Sequence, residues 1–149
     1  MRLLIQRVKR ASVEIEGVVK GAIERGFLVF VGVTHEDTEE DLEYLAQKLL
    51  KIRLFDDENG VMNLDMGQVG GELLIVSQFT LLASTRKGNR PSYIAAASEA
   101  VSRPMYERFV ARMEELTGRK VATGEFGADM QIALINDGPV TIWMDSKSR

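Results

Sequence analysis

Apolar residues in the first quarter of the chain fall into short runs that are separated by turn residues. Glu16-Gly17 and Arg25-Gly26 mark two of the breaks. Short apolar runs bounded by glycine and charged residues are typical of β-strands joined by tight turns. The pattern therefore predicts consecutive antiparallel strands over residues 3–8, 13–15, 18–23 and 27–33.

Two later segments show the spacing of an amphipathic helix. Thr38 followed three residues later by Asp41 resembles a capping box. The apolar residues that recur at helical spacing after it are Leu42, Leu45, Ala46 and Leu49. A second helix is predicted to begin after Ser98 and to end at Gly118. Its apolar stripe consists of Tyr106, Phe109, Val110, Met113 and Leu116. One face of each helix is expected to be buried.

The remaining apolar segments are predicted to be strands. Residues 73–76 are apolar at every position, which is typical of a central strand that is covered on both faces. Three more strands are predicted over residues 121–126, 130–136 and 140–144, joined by Gly127-Ala128 and by Asp137-Gly138-Pro139. Many strands with two main helices predict an α+β fold with mostly antiparallel pairing, in a single domain over residues 1–149.

Composition and charge exclude several classes of function. The chain has 149 residues, 45% hydrophobic and 28% charged, which suits one globular domain. It has no cysteine, so thiolate nucleophiles, iron–sulfur clusters and disulfides are excluded. We expect a cytoplasmic protein, because neither a secretory signal nor an apolar run of membrane length is present. The net charge of −3 means that binding of nucleic acid requires a local basic patch.

Common catalytic and metal-binding patterns are absent. His35 is the only histidine, and we interpret it as a solvated residue of the acidic turn before the first helix. One histidine without cysteine makes a zinc site improbable, and no metal or other cofactor is expected. Gly67, Gly70 and Gly71 precede a strand, not a helix, so we interpret this cluster as a turn and not as a phosphate-binding loop.

Two polar segments stand out as candidates for a site. Ser77, Gln78, Phe79 and Thr80 end the buried strand and precede a basic loop that contains Arg86, Lys87 and Arg90. Strand ends that lead into loops commonly carry binding and catalytic residues, although a polar strand end alone explains the same pattern. The second segment, residues 136–141, is equally compatible with a plain hairpin turn.

Together the two segments resemble the motifs of the D-aminoacyl-tRNA deacylase family. The first motif is Ser-Gln-Phe-Thr-Leu at residues 77–81, and the second is Asn-x-Gly-Pro-Val-Thr at residues 136–141. Further matches extend along nearly the whole chain, at residues 5–8, 10–13, 62–64, 88–92, 106–110 and 128–131. Tyr93 departs from the family, which commonly has phenylalanine there; the ring is kept and a hydroxyl is added.

The resemblance implies a homodimer of curved, barrel-like sheets that hydrolyses the ester between a D-amino acid, or glycine, and the 3′ end of tRNA. It implies an active site at the subunit interface, where Ser77, Gln78, Phe79 and Thr80 face the Gly138-Pro139 turn of the partner. Arg7 then holds the partner's turn, Met130 lines the pocket, Asn136 belongs to the substrate-binding motif, and the Gly138-Pro139 peptide bond is cis.

The candidate site has no strong general base, and an aminoacyl ester, which is already activated, does not require one. Orientation of the substrate and backbone N–H donors at Phe79 and Thr80 are expected to carry the reaction, with the ribose 2′-hydroxyl positioning or activating water. The candidate phosphate contacts are Arg86, Lys87 and Arg90, and Lys9 and Arg10 are further candidates. Two alternatives remain open: a small-molecule esterase that uses Thr80 as its nucleophile, and a dimeric binding module without catalytic activity.

Overall fold

A computed structural model describes all residues, 1–149, and contains two α-helices and eight strands. In chain order the strands are β1 (Arg2–Ile15), β2 (Val18–Ile23), β3 (Gly26–Gly32), β4 (Phe55–Asp56), β5 (Met62–Leu64), β6 (Glu72–Ser77), β7 (Ala122–Thr123) and β8 (Gln131–Asp145). The helices are α1 (Glu39–Lys51) and α2 (Glu99–Thr117), and a short 3₁₀ helix covers Phe79–Leu82. The predicted α+β class is confirmed.

The long strand β1 organises the sheet. It pairs antiparallel with β3 along its first half, with β2 along its second half, and with β8 along nearly its whole length. The two strands predicted over residues 3–8 and 13–15 are therefore one strand, because Lys9 and Arg10 continue β1 as exposed residues. β2 and β3 do not pair with each other, because both pair antiparallel with β1.

The sheet curves into a nearly closed barrel. Its strand order is β2-β1-β3-β6-β7, and the two ends approach each other. A Cβ on Gly21 of β2 would lie 2.6 Å from the carbonyl oxygen of Thr123 in β7, so only glycine allows this close approach. The pairs β3–β6 and β6–β7 are parallel, whereas the remaining pairs are antiparallel, as most of the sheet was predicted to be.

Both predicted helices are confirmed, with the predicted start of α1 and the predicted start and end of α2. The backbone N–H of Thr38 donates to the Asp41 carboxylate (2.8 Å) at the start of α1, and α2 ends at Gly118 in the left-handed conformation (φ 65°). Both helices pack on one face of the sheet, where 21 buried residues form the larger core. A smaller core of seven buried residues lies on the other face, inside the barrel. Neither helix is both long and apolar enough to cross a lipid bilayer.

The C-terminal region differs from the prediction of three strands. Residues 131–145 form the single strand β8, and only Ala122–Thr123 of the first predicted strand is extended. Opposite β1, Val8 pairs with Asn136 and Gln6 with Thr141, so residues 137–140 bulge out opposite the single residue Arg7. The Gly138-Pro139 peptide bond in this bulge is cis. The segment is thus a bulge in one strand and not a hairpin turn.

Candidate active site

A mostly apolar cavity of about 270 Å³ lies at the end of β6. Ser77, Gln78 and Phe79 line this cavity, together with Met130 and Phe126. Val31 and Val76 form part of its mostly apolar lining. Three of the four predicted catalytic residues and Met130 therefore share one cavity, whose size suits a nucleoside or an amino acid more than a large ligand.

The strand end is shaped by a change of backbone direction at Gln78. The Gln78 N–H still donates to the Val31 carbonyl (2.7 Å) of the neighbouring strand, and the 3₁₀ helix begins at the next residue. The N–H groups of Phe79 and Thr80 have no acceptor inside this helix, since they belong to its first turn. Two adjacent backbone donors are thus left free at the strand end next to the cavity, which makes them candidates for an oxyanion-binding pair.

Thr80 itself lies beside the cavity and not in its lining. Its hydroxyl is hydrogen-bonded to the side-chain amide of Gln78. An amide does not take up a proton at neutral pH, so Gln78 does not activate Thr80 as a nucleophile. His35 does not line the cavity either, and it is exposed in the loop before α1. No base adjoins Thr80 among its hydrogen-bond partners.

Tyr106 and Phe126 were missed as site residues, because sequence analysis assigned Tyr106 only to the apolar stripe of α2. The Tyr106 hydroxyl donates to the Ile75 carbonyl (2.8 Å), and burial, followed by the nearby charge of Glu107, raises the pKa of Tyr106 to about 12. The ring of Phe126 packs on Tyr106, and Arg103 stacks over Phe126 at 4.7 Å. Tyr106 and Phe126 line the cavity, and the Tyr106 hydroxyl within an apolar stripe was the only signal in the sequence.

Arg7 is buried and binds the bulge of its own chain. Its Nε donates to the Asp137 carbonyl (3.1 Å), and its Nη1 donates to the Leu54 carbonyl (2.6 Å). The carboxylates of Asp56 and Asp137 balance its charge at 3.4 and 3.5 Å. The resemblance implies that Arg7 holds the partner's turn, whereas these contacts hold the bulge within the same chain.

Asn136 uses its side chain to close the base of the bulge. Its Oδ1 accepts from the Val140 N–H (2.9 Å), and its Nδ2 donates to the Thr141 hydroxyl (3.0 Å). Both polar atoms of the Asn136 side chain are used in these bonds, so Asn136 positions the bulge instead of offering its amide to a ligand. Gly138 and Pro139, at the tip of the bulge, are exposed. A Cβ on Gly138 would lie 3.0 Å from Nη2 of Arg7, and its φ of 128° favours glycine.

The two motif segments do not line the same cavity within one chain. None of Arg7, Asn136, Gly138 and Pro139 lines the cavity that Ser77, Gln78 and Phe79 form. The basic loop is a third location: Arg86, Lys87 and Arg90 are exposed, as are Lys9 and Arg10 on β1. No set of three or more histidine, cysteine or acidic side chains is arranged to hold a metal ion.

A nearly closed barrel whose polar strand end lines a mostly apolar cavity defines an α+β domain with a candidate ligand-binding site. The chain belongs to the D-Tyr-tRNA(Tyr) deacylase family, whose model matches residues 4–145. Both motifs lie inside the matched region.

Curated relatives support the same membership over the whole length. A D-aminoacyl-tRNA deacylase of Phocaeicola vulgatus is 55% identical over 149 residues, covering 100% of this chain and 99% of that protein. The Flavobacterium johnsoniae protein of the same name is also 55% identical with the same coverage.

Solved structures share the fold. A structure described as a c-Myc DNA unwinding element binding protein has a TM-score of 0.91 at 37% identity, covering 97% of this chain and 98% of that one. A structure described as a probable eukaryotic D-amino acid tRNA deacylase has a TM-score of 0.83 at 18% identity, covering 96% and 97%. The second likeness concerns the fold alone.

Proposed function

We propose that the protein hydrolyses the ester bond of D-aminoacyl-tRNA and so removes D-amino acids from translation. One observation carries the proposal: a chain that matches the deacylase family over residues 4–145 keeps the Ser77-Gln78-Phe79 strand end in the lining of a mostly apolar cavity. A tRNA substrate also supports the cytoplasm as the place of action.

The chemistry rests on positioning. An aminoacyl ester is activated, so holding it against the N–H donors of Phe79 and Thr80 stabilises the charge that develops on its carbonyl oxygen. The ribose 2′-hydroxyl beside the ester is part of the substrate and positions the attacking water. The amide partner of Thr80 favours this route over an esterase in which Thr80 is the nucleophile.

We further propose that the site is completed in a homodimer. The exposed Gly138-Pro139 bulge and the cavity lie apart in one chain, and a two-fold partner can bring the bulge of one subunit to the cavity of the other. Trp143 is 49% exposed on the free edge strand β8, where it pairs with Leu4 of β1. Arg2, on the same face of β1 as Leu4, donates to the Leu81 carbonyl (2.9 Å) of the 3₁₀ helix. An exposed aromatic ring on a free edge strand suits such an interface.

Mixing of subunits tests the composite site. One variant disables the strand end (Gln78→Ala with Thr80→Ala) and the other disables the bulge (Gly138→Val). The residual activity of each variant alone is measured first. If each site takes one motif from each subunit, a refolded equal mixture of the two variants is more active than the mean of the two alone, and it approaches about a quarter of wild-type activity when both residual activities are small, because half the dimers hold one intact site of two. A mixture no more active than the mean of its components contradicts the composite site.

The bulge is proposed to exclude L-amino acids. To reject L-amino acids of every kind, a site must sense the configuration at Cα, because side-chain pockets discriminate by only a few kcal/mol. Main-chain atoms of Gly138 and Pro139, braced by Arg7 and Asn136, suit this task because they occupy space in a fixed position. Glycine, which has no Cβ to exclude, is then accepted with D-amino acids.

The basic loop is proposed to bind phosphates of the tRNA end. Arg86, Lys87 and Arg90 are exposed and form no salt bridge within the chain. If they neutralise roughly three phosphates of single-stranded RNA, log K falls with log salt at a slope of about −2. A much steeper slope means a wider RNA interface.

A comparison of three substrates tests the function. The protein is incubated separately with three substrates: a tRNA acylated with D-tyrosine, the same tRNA acylated with L-tyrosine, and a simple tyrosine ester without tRNA. The proposal predicts release of D-tyrosine from tRNA and negligible rates for the other two. Fast cleavage of the simple ester supports the Thr80 esterase instead, and inertness toward all three supports a binding module.

A further inference from the structure

Two aromatic rings lie exposed at the mouth of the cavity. Phe79, which lines the cavity, is 57% exposed, and Tyr93 is 39% exposed. Their rings meet edge to face, with centroids 5.1 Å apart and an interplanar angle of 72°. Neither ring is part of either hydrophobic core. The pair therefore contributes little to the buried cores and offers ring surface to a ligand.

The backbone around Tyr93 is fixed on both sides. Ser92 exchanges two backbone hydrogen bonds with Ser84 (2.8 and 2.9 Å), and the Ala96 N–H donates to the Tyr93 carbonyl (2.9 Å). The next residue, Ala97, donates to the Val33 carbonyl of the barrel (2.9 Å). A ring on a braced segment loses little conformational entropy when a ligand stacks on it.

The same bridge places the aromatic pair beside the basic loop. The Ser84–Ser92 bridge closes the loop that carries Arg86, Lys87 and Arg90, and Tyr93 follows it directly. Residues 73–98 contain these three positive charges and no acidic residue. Exposed rings next to a groove of positive charge are the arrangement with which proteins bind single-stranded nucleic acid, because every base has a face that stacks.

We infer that Tyr93, supported by Phe79, is a stacking platform for the base of the nucleotide that precedes the terminal nucleoside of the tRNA. This inference rests on the proposed function, and it names a subsite that the ester cavity does not supply. The terminal nucleoside and its ester occupy the cavity, the preceding base stacks on Tyr93, and its phosphate faces the basic loop. Stacking does not read the base, so the platform serves any tRNA.

Removal of the ring tests the platform. With D-tyrosyl-tRNA as substrate, Tyr93→Leu is expected to raise KM roughly 5- to 150-fold, the range for one base on one ring, with kcat unchanged. Tyr93→Phe keeps the ring and is expected to retain wild-type KM. Ile94→Ala is the matched control: Ile94 is the neighbouring residue, 87% exposed, and has no ring.

A shortened substrate separates stacking from a change in the cavity. The 3′-D-tyrosyl ester of adenosine has the terminal nucleoside and no preceding nucleotide. Tyr93→Leu is expected to hydrolyse it at the wild-type rate. Equal losses on this ester and on D-tyrosyl-tRNA overturn the inference, because the ring then acts on the cavity or on the contact between subunits.

An abasic nucleotide completes a double-mutant cycle. Removing the base before the terminal adenosine from D-tyrosyl-tRNA is expected to raise the KM of wild-type protein by the same factor as Tyr93→Leu does. With Tyr93→Leu, the abasic substrate is expected to raise KM no further. Increases in KM that multiply when both changes are combined overturn the platform. Wild-type deacylation of D-tyrosyl-tRNA with no effect of Tyr93→Leu refutes the platform alone, whereas inert wild-type protein refutes the proposed function.

Discussion

At the scale of single residues, Thr80 separates positional from covalent catalysis. Its hydroxyl is bound to an amide and has no base beside it. Thr80→Ala is therefore expected to lose far less than the roughly 10⁶-fold that removal of a true nucleophile costs. Single-turnover rates on D-aminoacyl-tRNA measure the loss, and Thr80→Ser serves as the control that keeps the hydroxyl. A folded, substrate-binding Thr80→Ala protein that is wholly inactive shows that Thr80 is the nucleophile.

Arg7 links stability to the shape of the bulge. Arg7→Met leaves the carbonyls of Leu54 and Asp137 without this donor, and an unsatisfied buried acceptor costs about 1–3 kcal/mol. We expect a loss of that size in the free energy of unfolding by urea, together with weaker D-over-L discrimination. Arg10→Met, an exposed neighbour on the same strand, is expected to change neither. Unchanged stability and selectivity in Arg7→Met refute its role.

The hydrogen-bond partners of Arg7 could not be predicted from the sequence. A charge within an apolar strand predicts that some partner exists, because an unpaired buried charge is costly. Its acceptors, however, lie 47 and 130 residues away, at Leu54 and Asp137. Only the tertiary fold brings these carbonyls to the guanidinium. Tyr106 was missed for the same reason, since its stripe position predicts burial and not a place at the cavity.

At the scale of elements, Asn136 and Thr141 control the bulge in β8. Thr141→Val removes the acceptor of the Asn136 Nδ2 bond, whereas in Asn136→Asp the Thr141 hydroxyl can turn and donate to the carboxylate, which still accepts from the Val140 N–H. Thr141→Val is expected to relax D-over-L discrimination by the equivalent of one hydrogen bond, about 0.5–1.5 kcal/mol, Asn136→Asp by less, and Asn136→Ala by more.

The ratio of kcat/KM for D- and L-aminoacyl-tRNA measures this effect. Gln131→Ala, an exposed change at the start of β8, is the control and leaves the ratio unchanged. Equal D-over-L ratios in wild type, Asn136→Asp, Thr141→Val and Asn136→Ala contradict the positioning role of Asn136.

The helices were predictable and the long strands were not. The ends of α1 and α2 are encoded locally, by Asp41 at the capping box and by Gly118, so nearby residues suffice to find them. The run from 137 to 139 looks like a turn in sequence, yet β8 continues through it because β1 pairs with both flanks. Pairing over more than a hundred residues decides whether such a segment is a turn or a bulge.

At the scale of the whole molecule, Asp41 joins the N-terminal half to the C-terminal tail. Burial alone would raise the pKa of Asp41, but hydrogen bonds from Lys147 (2.8 Å) and from the Thr38 backbone outweigh it and hold the pKa well below its ordinary value of 3.8. A lowered pKa in the folded state stabilises the fold above pH 3.8, and this stabilisation is lost as the pH falls toward the folded-state pKa.

Urea unfolding between pH 7 and pH 2.5 tests this linkage. Asp41→Asn is expected to be less stable than wild type at pH 7 and to lose less stability on acidification. Glu40→Gln, an exposed change on the same helix, is the control and follows wild type. Parallel pH curves for Asp41→Asn and wild type contradict the linkage.

The chiral filter is tested most directly by one panel of substrates. Wild-type protein is given tRNAs that carry the D and L forms of tyrosine and of aspartate, and glycyl-tRNA, and each rate of deacylation is measured. Exclusion at Cα predicts that both D esters and the glycyl ester are hydrolysed while both L esters persist, whatever the side chain. Rates that follow side-chain identity, with L-tyrosine released as fast as D-tyrosine, contradict it.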